Sequence, residues 1–232
     1  MTKLKMVNLP NKTLTEEIIF KSLNAADILH EQFSITDLPN GMIGLAAALP
    51  AATAVFDLAG SSLSVRNNGA INYAADSQDL FRGLSDIIYT HGGIIEKFPG
   101  DGISMHFPAV NVSKETAIIR AYKAIKEMDS FLRDKKNMSK SQYRFTLTYG
   151  DDTIVTKFGN DRHEELISIG HAVNVAHKLE KQVKDGGYYI GMDNQCKPII
   201  QREWNNENYQ PEYMLNDLCR SGNLIEFWYG VK

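Results

Sequence analysis

Cysteine is scarce in this chain of 232 residues: Cys196 and Cys219 are the only two. With no CxxC pair, a zinc site of the usual ligand spacing is excluded. Two lone thiols in a core-rich chain fit a reducing compartment. There is no Pro/Gly excess, which sets aside fibrous and low-complexity classes. Long apolar runs are missing too. The longest, 42–58, is interrupted by Pro50, Thr53 and Asp57 and is too broken to span a membrane. The opening MTKLKMVNLPNKT has no apolar stretch of the secretory-signal kind, so a cytoplasmic protein without membrane association is expected. Positive charge is not in excess either. A formal net charge of −3 argues against a dedicated nucleic-acid binder, yet it leaves room for a small anionic substrate held by a few local cations or a metal.

The rest of the composition, 43% hydrophobic and 23% charged, is that of a globular chain able to bury a substantial core. An amphipathic helix is expected over 15–33, where Ile18, Leu23, Ala26 and Leu29 lie near one face. Residues 34–50 read as loop. We therefore divide the chain into an N-terminal helical extension, 1–50, and a main domain, 51–232. The main domain opens with a strand over 52–58 that runs into the small loop Ala59-Gly60-Ser61-Ser62. Leu80, Phe81, Leu84, Ile87, Ile88 and His91 recur at helical steps, and Gly92-Gly93 ends that helix. Alternating residues at 94–98 and 103–107 flank Pro99-Gly100-Asp101-Gly102, the signature of a β-hairpin. Ser113 caps a further helix whose apolar positions, Ile118, Ala121, Ile125, Met128 and Leu132, step by three and four. Two more strands, 143–149 and 154–158, precede a helix over 171–184. Mixed strands and helices with hairpins predict an α+β layer fold with a mainly antiparallel mixed sheet.

Two acids stand at conspicuous places. Asp57 ends an apolar strand, where a carboxylate is costly to bury without a partner; capping the following turn is its plain structural role. Asp101 sits between two glycines, which is ordinary turn chemistry when taken alone. If the strand and hairpin are neighbours, the two carboxylates meet and can bridge two divalent cations about 4 Å apart. Magnesium-like cations use few protein carboxylates and leave positions for phosphate oxygens. The loop 58–62 then offers backbone N–H groups at a helix start to a triphosphate. The histidines give no such set. His163, beside Asp161 and Glu164, reads as part of a solvated polar loop. His171 and His177 are wrongly spaced on one helix to share a metal, and His91 closes a helix.

Three segments in order, AVFDLAGSS, FRGLSDIIYTHGGIIEKFPGDGISMHF and IGHAVNVAHKLE, resemble the core of class III nucleotidyl cyclases, the adenylate and guanylate cyclase family. The resemblance implies a ferredoxin-like α+β domain acting as a head-to-tail homodimer with shared active sites. It implies two divalent cations, Mn²⁺ or Mg²⁺, held by Asp57, Asp101 and the Leu58 carbonyl, with Gly60, Ser61 and Ser62 beside the triphosphate. Asn174 matches the family asparagine that orients the ribose, and Lys97 a position that helps read the base. The implied reaction is attack of the ribose 3′-hydroxyl on the α-phosphorus of a nucleoside triphosphate, with loss of pyrophosphate.

Departures from the family pattern carry information of their own. Lys178 stands where arginine is usual and supplies a point charge rather than a two-pronged fork. Ile167 stands where adenylate cyclases usually carry aspartate, and isoleucine can neither accept from nor donate to a base. Ser61 replaces an aromatic residue. Asp151 replaces a phosphate-contacting arginine, a role for which Arg220 is the expected substitute. With these departures and its compact architecture, the chain is similar to the stand-alone pyrimidine cyclases of Pycsar antiphage systems. These make cyclic UMP or cyclic CMP, which acts on a separate effector protein. An adenylate cyclase and a catalytically inactive nucleotide-binding domain of the same fold are the alternatives.

Overall fold

The structure is a computed structural model and describes residues 6–7, 46–160, 162–203, 210–215 and 224–229. The helix expected over 15–33 and Arg220 lie outside the described residues. In chain order the strands are β1 (Met6–Val7), β2 (Ala46–Ala48), β3 (Ala51–Leu58), β4 (Ile94–Lys97), β5 (Gly102–Pro108), β6 (Tyr143–Gly150), β7 (Ile154–Asn160), β8 (His163–Ile169), β9 (Ile190–Asp193), β10 (Gln210–Leu215) and β11 (Leu224–Tyr229). The helices are α1 (Ser61–Asn68), α2 (Ala70–Thr90), α3 (Lys114–Asp134), α4 (His171–Asp185) and α5 (Lys197–Glu203).

Seven strands form the main sheet in the order β10-β11-β9-β6-β3-β5-β4, and β1-β2-β7-β8 form a smaller one. Among the described residues, only β6 and β9 run parallel; the other pairs are antiparallel. The α+β class with a mixed, mainly antiparallel sheet is therefore as expected. β3 is an interior strand of the main sheet. It is bonded along its length to β5 on one side and β6 on the other, which brings Asp57 opposite both Gly102 and Arg144.

Alternation along these three strands sorts the chemistry. One face carries Ala52, Ala54 and Phe56 of β3, Ile103, Met105 and Phe107 of β5, and Tyr143, Phe145 and Leu147 of β6. It packs under α2 and α3 through Leu84, Ile88, Ile118, Ile125 and Met128, all fully buried. α3 begins where Ser113 caps it by accepting from the Thr116 N–H at 3.1 Å. The opposite parity puts Thr53, Ser104, His106, Arg144, Thr146 and Thr148 on the other face, buried although polar. α4 covers part of that face. Thr146 Oγ1 donates to the Ala176 carbonyl at 3.0 Å, and Thr148 Oγ1 to the Ala172 carbonyl at 2.9 Å. Each bond satisfies a hydroxyl whose burial without a partner would cost about 1–3 kcal/mol.

Two expectations need correction. Residues 46–48, read as part of a loop, form β2, which pairs with β7 from Ala46↔Thr156 to Ala48↔Ile154; a run of small residues shows no alternation to mark it. His163 does not lie in a polar loop: it is the first residue of β8, which pairs with β7 from Ile154↔Ile169 to Asn160↔His163. The sequence HEELISI hides this strand because its first half is charged, and a strand on the smaller sheet shows no apolar alternation there. Among the described residues, no helix is long and apolar enough to cross a membrane.

The packing gives a direct test. Phe56 is fully buried, with ring centroids 5.3 Å from Phe145 and 6.4 Å from Phe81. Phe56→Ala should cost about 3–5 kcal/mol in urea unfolding. Ile71→Ala, at a residue 86% exposed, should stay within about 0.5 kcal/mol of the parent.

Candidate active site

Asp57 is the seventh residue of an eight-residue strand, on the α4 side of the sheet. The partner that its burial demands is Arg144, its direct cross-strand neighbour on β6. Arg144 Nη2 donates to Asp57 Oδ2, and Arg144 Nε donates to Oε1 of Glu180 on α4. The guanidinium is 7% exposed, and the two carboxylates are 23% exposed each. Burial pushes the Asp57 pKa up from its ordinary 3.8 to about 6; Arg144 opposes the rise, while the charges of Glu180 and Asp101 add to it.

Asp101 is brought close by its turn. The Gly102 N–H donates to the Pro99 carbonyl at 3.1 Å, and Gly100 takes a left-handed φ of 64°. A Cβ on Gly102 would lie 2.6 Å from the Phe56 carbonyl oxygen. Only glycine lets the hairpin tip close on the end of β3, so that the Asp101 charge is felt at Asp57.

Beyond β3 the chain passes through Gly60, with φ 80°, into the first residue of α1, Ser61. Ser61 and Asp101 line a common cavity of about 610 Å³ with Tyr73, Ser77, Phe81 and Gly100. Leu58, Ala59, Gly60 and Ser61 line a second, of about 650 Å³. No side chain caps α1, so its terminal N–H groups and dipole favour an anion there. Ser62 follows in the same helix.

The donor set suits a hard divalent cation. Among the described residues, no three His, Cys, Asp or Glu side chains gather closely enough to hold a metal by themselves. Two carboxylates completed by backbone and substrate oxygens are what Mg²⁺-like ions use.

The other candidates fall on β4, β8 and α4. Lys97 ends β4, with its side chain 34% exposed. Ile167 is half-buried on β8, opposite Thr156. Asn174 and Lys178 are exposed on α4 at a spacing that gives them one face. Asp151 is exposed and accepts from the Tyr149 hydroxyl at 2.8 Å. His91 Nε2 meets Glu127 Oε2 at 2.7 Å.

Sequence reading missed three charged residues. Arg144 and Glu180 complete the Asp57 network. Glu96, beside Lys97, has a side chain only 2% exposed. Arg144 does carry a signal: in YRFTLTYG it stands at the parity of the threonines and is the one charge in a strand of buried residues. Its partner could be named only once the register was known.

No family sequence model matches this chain, and no curated protein matches it. Solved structures do. The guanylyl cyclase Cya2 superposes with a TM-score of 0.60 at 20% identity, over 78% of this chain and 91% of that one. The adenylyl cyclase CyaB from P. aeruginosa gives 0.59 at 17% identity, over 78% and 94%. A non-canonical dimeric guanylyl cyclase domain of the RhoGC fusion protein from the aquatic fungus Blastocladiella emersonii gives 0.56 at 16% identity, over 78% and 96%. The fold is thus that of the class III nucleotidyl cyclase catalytic domain. Adenylyl and guanylyl cyclases both share it, so the fold alone does not choose the base.

The raised Asp57 pKa has a measurable consequence in metal-free protein. Between pH 3.8 and about 6 the folded state binds the Asp57 proton more tightly than the unfolded chain, so this group's contribution to stability falls as pH rises through that window. In the presence of EDTA, the melting temperature of wild type relative to Asp57→Asn should decline across that window and level off on both sides.

Proposed function

We propose that this chain is a nucleotidyl cyclase that converts a nucleoside triphosphate, UTP or CTP, to its 3′,5′-cyclic monophosphate and pyrophosphate. The observation that carries the reading is the register that sets Asp57 opposite Gly102, so that the charge of Asp101 is felt at the end of β3, beside the open N-terminus of α1, within a cyclase fold. Two divalent cations, Mn²⁺ or Mg²⁺, would be held by Asp57, Asp101 and the Leu58 carbonyl, and when bound they supply activation of the ribose hydroxyl and neutralisation of phosphate charge. The Gly60–Ser62 backbone holds the triphosphate. The ribose 3′-oxygen attacks the α-phosphorus and loses its proton as the bond to pyrophosphate breaks.

The site is completed by a second copy of the chain. Asn174 of the partner subunit orients the ribose, and the partner subunit's Lys178 places a point charge on the phosphate. A structural neighbour is a dimer, though a non-canonical one, which supports pairing of two copies and not the sharing of sites. The partner subunit's Lys97 and Ile167 face the base. An apolar side chain in place of an acceptor disfavours adenine, whose amino group would lose its partner, and this supports a pyrimidine. Arg220 is proposed to stand in for the phosphate arginine absent at Asp151. We further propose that the product acts on a separate effector protein, as in Pycsar antiphage defence.

Incubation with ATP, GTP, CTP and UTP plus Mn²⁺ or Mg²⁺, with products identified by mass, tests the reading. Cyclic UMP or cyclic CMP is the expected main product. Cyclic AMP would make the chain an adenylate cyclase, and no product at high protein concentration would make it an inactive nucleotide-binding domain. Asp57→Ala and Asp101→Ala should each lower turnover at least about a hundredfold while the protein stays folded by circular dichroism. Mixing Asp57→Ala with Lys178→Ala protein should restore part of the activity, because one shared site of the heterodimer is then intact. A mixture as inactive as its parts would exclude shared sites.

A further inference from the structure

The polar face of the sheet holds a second buried acid that the proposed chemistry leaves unused. β4 and β5 pair Ile95 with Met105 and Lys97 with Ser104, so Glu96 is the extra residue of a β-bulge. Bulges re-aim side chains, and this one turns Glu96 into the molecule. Ser104 Oγ donates to Glu96 Oε2 at 2.6 Å, and the Ser168 backbone N–H donates to Oε1 at 2.8 Å. Lys97 Nζ lies 3.7 Å from Oε1, and His106 Nε2 lies 3.5 Å from Oε2. Behind these, His106 Nδ1 meets Thr53 Oγ1 at 3.0 Å, and His177 Nε2 meets Ser104 Oγ at 3.4 Å. Burial works to raise the Glu96 pKa, but His106, Ser104 and the Ser168 N–H outweigh it and hold it well below the ordinary carboxylate range.

A buried charge of this kind is costly unless it is paired and hydrogen-bonded, as Glu96 is by Ser104, the Ser168 N–H and His106. Its contacts join parts of the chain that backbone pairing leaves separate. β4 belongs to the main sheet and β8 to the smaller one, and the Glu96–Ser168 bond ties the two. Lys97 is the neighbour of Glu96, Ile167 is the neighbour of Ser168, and His177 lies between Asn174 and Lys178 on α4. The residues assigned to the nucleoside therefore all sit on segments gathered around one carboxylate.

We propose that Glu96 is a positioning residue for base selection: clamped by Ser104 and the Ser168 N–H, its carboxylate sets the spacing between the Lys97 ammonium and Ile167 without touching the nucleotide itself. This rests on the cyclase reading. In Glu96→Gln the amide oxygen still accepts from the Ser168 N–H and the amide NH2 can donate to Ser104 Oγ, but the charge that restrains Lys97 is gone. Glu96→Ala removes both.

The test measures kcat and KM with each of the four triphosphates in Mn²⁺, binding of the same triphosphates by calorimetry in Ca²⁺, and melting temperature, for wild type and both variants. Glu96→Ala should raise KM for the preferred triphosphate about tenfold, with a smaller change in kcat, and reduce the preference over the others by a similar factor. Glu96→Gln should melt close to wild type yet lose part of that preference. If Glu96→Ala does not fold, Glu96→Gln decides. A folded Glu96→Gln with wild-type KM values and preference overturns the proposal. Absence of cyclic product from wild type overturns the cyclase reading instead; the calorimetric preference then judges Glu96, and its being unchanged in Glu96→Gln overturns the positioning role as well.

Discussion

Arg144 donates from one guanidinium to two carboxylates, Asp57 at the end of β3 and Glu180 on α4. Much of the site's geometry depends on that fork. Without it, Asp57, Glu180 and Asp101 would be three negative charges converging on a half-buried place, and burial already favours protonation of Asp57. With it, the sheet and the helix that carries Asn174 and Lys178 are locked together at the point where the proposed phosphate chemistry takes place. Arginine suits the task because its planar group serves two acceptors at once, which a lysine cannot do with fixed geometry.

The fork can exist because the sheet separates its two faces so strictly. Apolar residues of β3, β5 and β6 pack beneath α2 and α3 and supply the hydrophobic stabilisation. The opposite parity then carries threonine, serine, histidine and charge, most of them matched to a carbonyl, a carboxylate, an imidazole or a counter-charge. Such a polar interior is tolerable only when its members are satisfied, and that requirement fixes geometry more sharply than apolar packing does. Asp57 and Glu96 both draw on it. One is held beside the proposed metal and phosphate groups, the other beside the residues assigned to the base. The acid near the end of β3 and the acid buried at the edge bulge thus divide reaction and selectivity between them in the proposed scheme.

Much of the fold was legible from local pattern. The helix from Ser113 onward, the hairpin around Pro99–Gly102 and the strand that ends in Asp57 all follow from periodicity and turn chemistry. β8 was not, because charged residues on a strand of the smaller sheet look like loop. The helical stretch from Ser61 to Asp79 also showed too weak an apolar stripe to be read, since most of its described residues are exposed.

By itself, then, the sequence determined which residues alternate on which face, where the chain turns, and that two acids stand at turn-forming ends. Those are local properties, governed by the two- and 3.6-residue periods and by the special conformations of glycine. Only the tertiary structure decided that Asp57 meets Arg144, that Glu180 shares the same guanidinium, and that Glu96 is drawn inward. These depend on register between strands distant in sequence and on one bulge at the sheet edge. No local signal encodes such pairings, because a shift of one residue would keep every strand intact while turning each of these side chains to the opposite face.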